Sequence, residues 1–70
     1  MNAHADLWQP GTFVREAMAA YRALMDNGTI ARLHVDIGRC SGRARVRYES
    51  DLAHEDILAR LRIEKAKVSL

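Results

Sequence analysis

The chain has 70 residues, with 11 lysines and arginines against 9 aspartates and glutamates, which gives a net charge of +2. A single cysteine excludes an intrachain disulfide and with it the disulfide-stapled secreted scaffolds, so we expect a reducing, cytoplasmic location. No run approaches the roughly 18 apolar residues of a membrane span, and we expect neither a membrane segment nor a secretory leader. One small domain over residues 1–70 is expected, with a marginal stability that a partner or a second copy would increase.

The first predicted element is a helix that follows an N-terminal arm. Residues 1–9 lack a hydrophobic period, and we expect a flexible arm with Trp8 as a packing anchor. A Pro-Gly-Thr segment then interrupts the chain, and Thr12 is a suitable N-cap for a helix over residues 12–27. Gly28 can take the left-handed conformation that ends a helix. Apolar residues at three- and four-residue spacing predict one buried stripe, formed by Val14, Ala17, Met18, Tyr21, Leu24 and Met25.

Two runs of alternating apolar and polar residues follow, over 29–37 and 43–49. Such alternation is typical of half-buried strands. The short, glycine-containing connection predicts a β-hairpin whose four-residue loop, 39–42, is closed by Gly38 and Arg43. Because like faces must align, the register is set by the pairs Leu33–Tyr48, Val35–Val46 and Ile37–Ala44.

The same register sets the polar face of the hairpin, which carries five of the arginines. The polar pairs that it places opposite each other are Arg32–Glu49, His34–Arg47 and Asp36–Arg45. Opposite charges across two strands contribute roughly 0.2 to 1 kcal/mol per pair, so Arg32 and Arg45 are partly neutralised within the chain. The cations left available lie toward the hairpin tip and are Arg39, Arg43 and Arg47.

A second helix is predicted over residues 51–63, with Ser50 or Asp51 as its cap and acidic residues in its early turns. For residues 64–70 the pattern leaves a continued helix and a short C-terminal strand both open. The predicted fold class is α+β, in the order α-β-β-α, with the antiparallel hairpin packed on two helices. The predicted core consists of Val14, Met18, Tyr21, Leu24, Leu33, Val35, Ile37, Val46, Tyr48, Leu52, Leu58 and Leu61.

No arrangement typical of catalysis, metal binding or nucleotide binding is present. Cys40 lies at a predicted hairpin tip without a pocket, and the three histidines and one cysteine match no zinc spacing. His54 and Glu55 open a helix with no histidine four residues later, so we expect them in solvent. The glycines of the hairpin loop lack the Lys-Ser/Thr of a phosphate-binding loop. We therefore expect a non-catalytic protein with no cofactor and no metal.

The arginine-rich face of the hairpin is the predicted functional feature. Arginine is enriched in interface hot spots, and the leading hypothesis is a regulatory or inhibitor-type protein that binds an acidic surface of another protein. The alternative is a nucleic-acid-binding regulator in which the two-stranded ribbon contacts phosphates or bases. An unpaired sheet edge also favours a homodimer. For either partner, the predicted binding residues are Arg32, His34, Arg39, Arg43, Arg45 and Arg47.

Overall fold

The computed structural model describes residues 2–9, 15–38 and 43–69, which contain five regular elements. They are β1 (Asn2–Trp8), α1 (Arg15–Asp26), β2 (Ala31–Ile37), β3 (Ala44–Ser50) and α2 (His54–Ser69). The three strands form an antiparallel sheet in the order β1-β3-β2. The α+β class is confirmed. The expected order α-β-β-α is observed with an additional strand before the first helix, which gives β-α-β-β-α.

The added strand, β1, replaces the flexible arm expected for residues 1–9. All of its residues pair with β3 in an unbroken antiparallel register. The alternation rule missed this strand because two inward side chains, His4 and Asp6, are polar, whereas the outward Ala5 and Leu7 are apolar. Hydrophobic periodicity identifies a half-buried strand only when the buried face is the apolar one.

The β2–β3 hairpin has the predicted register next to its loop. The predicted pairs hold from Ile37 back to His34, which lies opposite Arg47. The Gly38 N–H donates to the Arg43 carbonyl oxygen at 2.9 Å, as expected for the residues that close the loop. The loop itself lies outside the described residues.

A β-bulge interrupts this register just before His34. Ala31 takes the place opposite Glu49 that was expected for Arg32, and Leu33 loses its predicted partner. Arg32 has a φ of +56°, in the left-handed region that disfavours side chains with a Cβ. The bulge therefore adds one residue to β2 that strict alternation does not reveal.

Helix α1 ends in the manner predicted, but the strand that follows begins later than residue 29. Gly28 has a φ of +81°, the left-handed conformation expected at a helix C-terminus. The N–H groups of Thr29 and Ile30 both donate to the Leu24 carbonyl oxygen, at 2.9 and 3.3 Å. These two residues therefore complete the helix end, and β2 begins at Ala31.

Helix α2 begins three residues later than predicted and continues to Ser69. Its first carbonyl acceptor belongs to Ala53. Ser50, expected as a cap, is the last residue of β3, and its hydroxyl donates to the carbonyl oxygen of Thr29 at 2.8 Å. Residues 64–69 are helical, so the alternative of a C-terminal strand is wrong.

The hydrophobic core lies between the two helices and one face of the sheet. The predicted core residues that are buried are Tyr21, Leu24, Val46, Tyr48 and Leu61. Those that are partly buried are Met18, Leu33, Val35 and Leu52. Burial of aromatic and aliphatic side chains at this density supplies the main driving force for folding a chain of this size.

Two predicted core residues are instead exposed, and one cannot be placed. Ile37 is 65% exposed because it ends an edge strand, which has a neighbour on only one side. Leu58 is 40% exposed, since the core face of α2 is set by Ile57 and Leu61 and Leu58 lies one position further around the helix. Val14 lies outside the described residues.

The bulge generates a stability prediction. Replacing Arg32→Gly removes the cost of a left-handed residue, about 1 kcal/mol, and loses an exposed ion pair worth less than that. We expect the free energy of unfolding to stay constant or rise by up to about 1 kcal/mol. The matched control is Arg45→Gly, in the same sheet with an ordinary φ, which should lower it by roughly 0.5 to 1 kcal/mol. Urea unfolding of both variants checks this, and equal losses would contradict it.

Candidate protein-binding surface

The face of the sheet turned away from the helices carries the charged residues of the hairpin. Strand alternation places eight side chains there, because successive residues of a strand point to opposite faces, and the bulged Arg32 joins them through its ion pair with Glu49. They are Ala3, Ala5 and Leu7 from β1, Arg45, Arg47 and Glu49 from β3, and Arg32, His34 and Asp36 from β2. All are exposed except Glu49, which is half-buried. We call these nine residues the outer face.

The outer face has a mixed charge with a positive excess, since its three arginines stand against two carboxylates. Arg32 Nε lies 3.3 Å from Glu49 Oε2, so this predicted pair is formed in spite of the bulge. Asp36 is contacted by Arg47 Nη2 at 3.2 Å and by His34 Nε2 at 3.0 Å. The Asp36 carboxylate therefore contacts both the Arg47 guanidinium and the His34 imidazole.

These contacts correct the predicted distribution of charge pairs. Asp36 lies opposite Arg45 in the backbone register, but its carboxylate binds the diagonal neighbour Arg47. Long side chains reach diagonal positions across a strand pair, which opposite-position counting ignores. Arg47 is thus paired, and no hydrogen bond or ion pair among the described residues engages Arg45. Arg45, on the central strand, is therefore an available cation within the described part of the outer face.

Two shallow depressions divide the outer face. One has a volume of about 330 Å³ and is lined by Leu7, Asp36, Gly38, Arg43 and Arg45. It brings Arg43 and Arg45 together. The other, of about 440 Å³, includes Arg32, His34 and Arg47 beside the alanines of β1. Five of the six predicted binding residues therefore line this one side of the molecule. The sixth, Arg39, lies outside the described residues, as does Cys40.

A separate polar cluster lies on the inner face of β1, and the sequence analysis did not anticipate it. Asp6 has a side chain only 9% exposed, and its carboxylate accepts hydrogen bonds from the hydroxyls of Tyr21 and Tyr48, the latter at 3.1 Å. His54 Nε2 lies 2.7 Å from the other carboxylate oxygen. Trp8 Nε1 donates in turn to the Tyr21 hydroxyl at 3.2 Å. We call this group the Asp6 cluster.

Aromatic rings enclose the Asp6 cluster. His4 stacks on Tyr48 with 5.4 Å between ring centroids, and its ring centroid lies 5.8 Å from that of His54. Nε2 of His4 is buried, and no described residue forms a hydrogen bond with it. The ammonium of Lys65 lies 5.0 Å above the Trp8 ring. His54 is half-exposed, which agrees with the solvent contact expected for it, but it also anchors α2 to β1.

The electrostatics of the Asp6 cluster favour neutral tyrosines beside a charged carboxylate. Burial, followed by the neighbouring Asp6, raises the pKa of both the Tyr21 and the Tyr48 hydroxyl well above the usual value. A protonated hydroxyl can donate to the carboxylate, whereas a tyrosinate would repel it. The sequence signal for this cluster was the spacing of His4, Asp6 and Trp8 on one side of an extended segment.

Comparison of the chain with protein-family models, with curated proteins and with solved structures gives no match. Within the described residues, no group of three or more histidine, cysteine, aspartate or glutamate side chains is arranged to hold a metal ion. Neither helix of the described part combines the length and apolar character needed to cross a membrane.

The first prediction from this geometry concerns the Asp6 carboxylate. Asp6→Asn keeps the shape but turns an amide donor toward groups that are themselves donors, so we expect a loss of about 2 to 4 kcal/mol in the free energy of unfolding. The matched control is Asp36→Asn on the exposed outer face, with an expected change within about 0.5 kcal/mol. Urea unfolding at neutral pH measures both. Similar decreases in the free energy of unfolding of the two variants would show that Asp6 stabilises the fold no more than an exposed carboxylate does.

The second prediction concerns alkaline stability. Because the pKa of each tyrosine is raised in the folded chain, the unfolded chain loses these protons first, and stability falls as pH rises above about 10. The expected slope is about 1.4 kcal/mol per pH unit for each tyrosine. Tyr48→Phe should roughly halve the slope. Denaturant unfolding across this pH range checks it, and tyrosinate absorbance appearing near pH 10 in a still-folded chain would contradict it.

Proposed function

We propose that this chain is a non-catalytic regulatory protein of the inhibitor type that binds an acidic surface of another protein through the outer face. The observation that carries the proposal is the exposed sheet face on which Arg45 has no partner among the described residues. Arg32, His34, Arg43 and Arg47 surround it on the same side of the molecule. The proposal includes a cytoplasmic location, which rests on the single cysteine of the chain.

The chemistry of the outer face supports a protein partner more than a nucleic acid. Two of its three arginines bind the carboxylates of Asp36 and Glu49, which would repel a row of phosphates. None of the nine side chains is a Phe, Tyr or Trp, so His34 is the one aromatic ring that the face offers for the stacking of single-stranded bases. Ala3, Ala5 and Leu7 add an apolar strip beside the cations, and protein interfaces combine arginine with apolar contact area.

The test compares two double variants that each remove two exposed arginines. Arg45→Ala with Arg47→Ala alters the outer face, whereas Arg60→Ala with Arg62→Ala removes two exposed arginines of α2. Proteins captured from a lysate by the unchanged chain should be retained by the α2 variant and reduced at least about tenfold by the outer-face variant, since hot-spot arginines contribute about 2 kcal/mol or more. Equal capture by both variants would refute the proposal.

A nucleic-acid titration separates the alternative. Random duplex DNA and single-stranded RNA are titrated with the unchanged chain at about 50 and about 200 mM salt, because phosphate contacts make affinity fall steeply with salt. We expect no binding at the higher salt. Tight binding with a steep salt dependence that disappears in the outer-face variant would instead assign the surface to nucleic acid.

A further inference from the structure

The backbone edge of β1 is distinct from the outer face, whose side chains carry the proposed function. In the sheet order β1-β3-β2, β1 has β3 on one side and no strand on the other within the described residues. An edge strand presents unpaired N–H and C=O groups to any strand that can approach it. The strand has 7 residues and pairs with β3 without a bulge, so its backbone groups alternate regularly along this edge.

The hydrogen bond that closes the β2–β3 hairpin shows which backbone groups of β1 point away from β3. The Gly38 N–H donates to the Arg43 carbonyl oxygen, so the odd-numbered residues of β3 direct their backbone groups toward β2. The even-numbered residues of β3 then point toward β1, where they pair with the even-numbered residues of that strand. The backbone groups of Ala3, Ala5 and Leu7 consequently point away from the sheet.

The other sheet edge, on β2, is less suited to pairing. The bulge and the positive φ of Arg32 bend it, and it carries the charged side chains of Arg32, His34 and Asp36. On β1 the outward-facing residues are all small or apolar. The one inward charge, Asp6, is already bound by two hydroxyls and a histidine of its own chain.

We propose that two copies of this chain pair antiparallel through their β1 edges, with Ala5 opposite Ala5 of the second copy. In this register Ala3 lies opposite Leu7 of the second copy, and each such pair exchanges backbone hydrogen bonds in both directions. A two-fold axis through Ala5 makes the edge its own complement, as a symmetric dimer requires. No other protein is needed to supply a matching strand.

The side chains select this register over its neighbours. With Ala5 on the axis, each Leu7 faces the small Ala3, and His4 lies opposite Asp6 of the second copy, so no two like charges face each other. An axis through Asp6 would bring two carboxylates together, which is unfavourable. An axis through His4 would leave Leu7 opposite no residue of β1. The Ala5 register uses every outward-facing residue of the strand.

The dimer is expected to be weak, because pairing of one short edge buries less than the roughly 1,200 Å² of a standard stable interface. We expect half of the chains to be paired at a chain concentration on the order of 100 µM, which is typical of a transient association. Sedimentation equilibrium should show a mass rising from 7.9 kDa toward twice that value as concentration increases. A constant monomer mass up to about 1 mM would overturn the proposal.

Two proline variants test which edge is used. Ala5→Pro removes an outward N–H from β1, whereas Ile37→Pro removes an outward N–H from the β2 edge, and proline is tolerated at such positions. We expect Ala5→Pro to be monomeric with the circular dichroism of the unchanged chain, and Ile37→Pro to dimerise normally. A folded Ala5→Pro that still dimerises, or an equal loss in both variants, would overturn the proposal.

Amide exchange on the unchanged chain decides the matter without a variant. The amides of Ala3, Ala5 and Leu7 should exchange about fivefold more slowly at about 1 mM than in dilute solution, since four-fifths of the chains would then be paired. Those of His4 and Asp6, which face β3, should show no dependence on concentration. If the Ala5 amide exchanges without protection at every concentration, the proposal is overturned, even where the chain dimerises through another surface.

Discussion

The Asp6 carboxylate is the interaction on which the arrangement of the elements depends. It accepts hydrogen bonds from Tyr21 of α1 and Tyr48 of β3 and lies 2.7 Å from Nε2 of His54 of α2, so one side chain of β1 joins four of the five elements. A carboxylate with so little solvent contact is unfavourable unless donors surround it. Since these partners come from three different elements, β1 cannot slip by one residue without leaving a buried charge and two buried hydroxyls unpaired.

The central strand carries this constraint through to the surface. Its even positions, Ala44, Val46, Tyr48 and Ser50, are buried, while its odd positions carry Arg45, Arg47 and Glu49. Because strand side chains alternate, the register that brings Tyr48 to Asp6 also directs the arginines to the outer face. The core and the candidate binding surface are therefore two sides of one strand, and a change in pairing would alter both.

The sequence was sufficient to predict features that depend on strong local patterns. Most of the 3.6-residue stripe of α1, the left-handed Gly28 and the hairpin register from His34 to Ile37 were predicted, whereas Met25, expected in the stripe, is 46% exposed. Each has a signal within a few residues, in the spacing of apolar side chains or in the choice of glycine. The α+β class follows from these elements and is confirmed.

Features that depend on long-range contacts were not predictable in this way. Strand β1 lacks an apolar inner face, because His4 and Asp6 are accommodated by hydroxyls and rings more than ten residues away in the sequence. The continuation of α2 through residues 64–69 was ambiguous because the apolar residues there alternate with polar ones, as in a strand, while the segment also fits a helix. Helix-forming residues and the Glu64–Lys67 contact of 3.3 Å favour the helix. Arg47 was assigned as a free cation because opposite positions were counted and diagonal ones were not.

The two proposed surfaces have a geometric relation that follows from the strand order. If the β1 edges of two copies pair, each β3 lies three strand spacings, about 14 Å, from its counterpart. The strip between them is formed by Ala3, Ala5 and Leu7 of both copies and carries no charge. Rows containing Arg45 and Arg47 would then border an apolar strip slightly wider than the roughly 10 Å diameter of a helix. An amphipathic helix with acidic flanks would match this spacing, whereas a single copy presents only half of it.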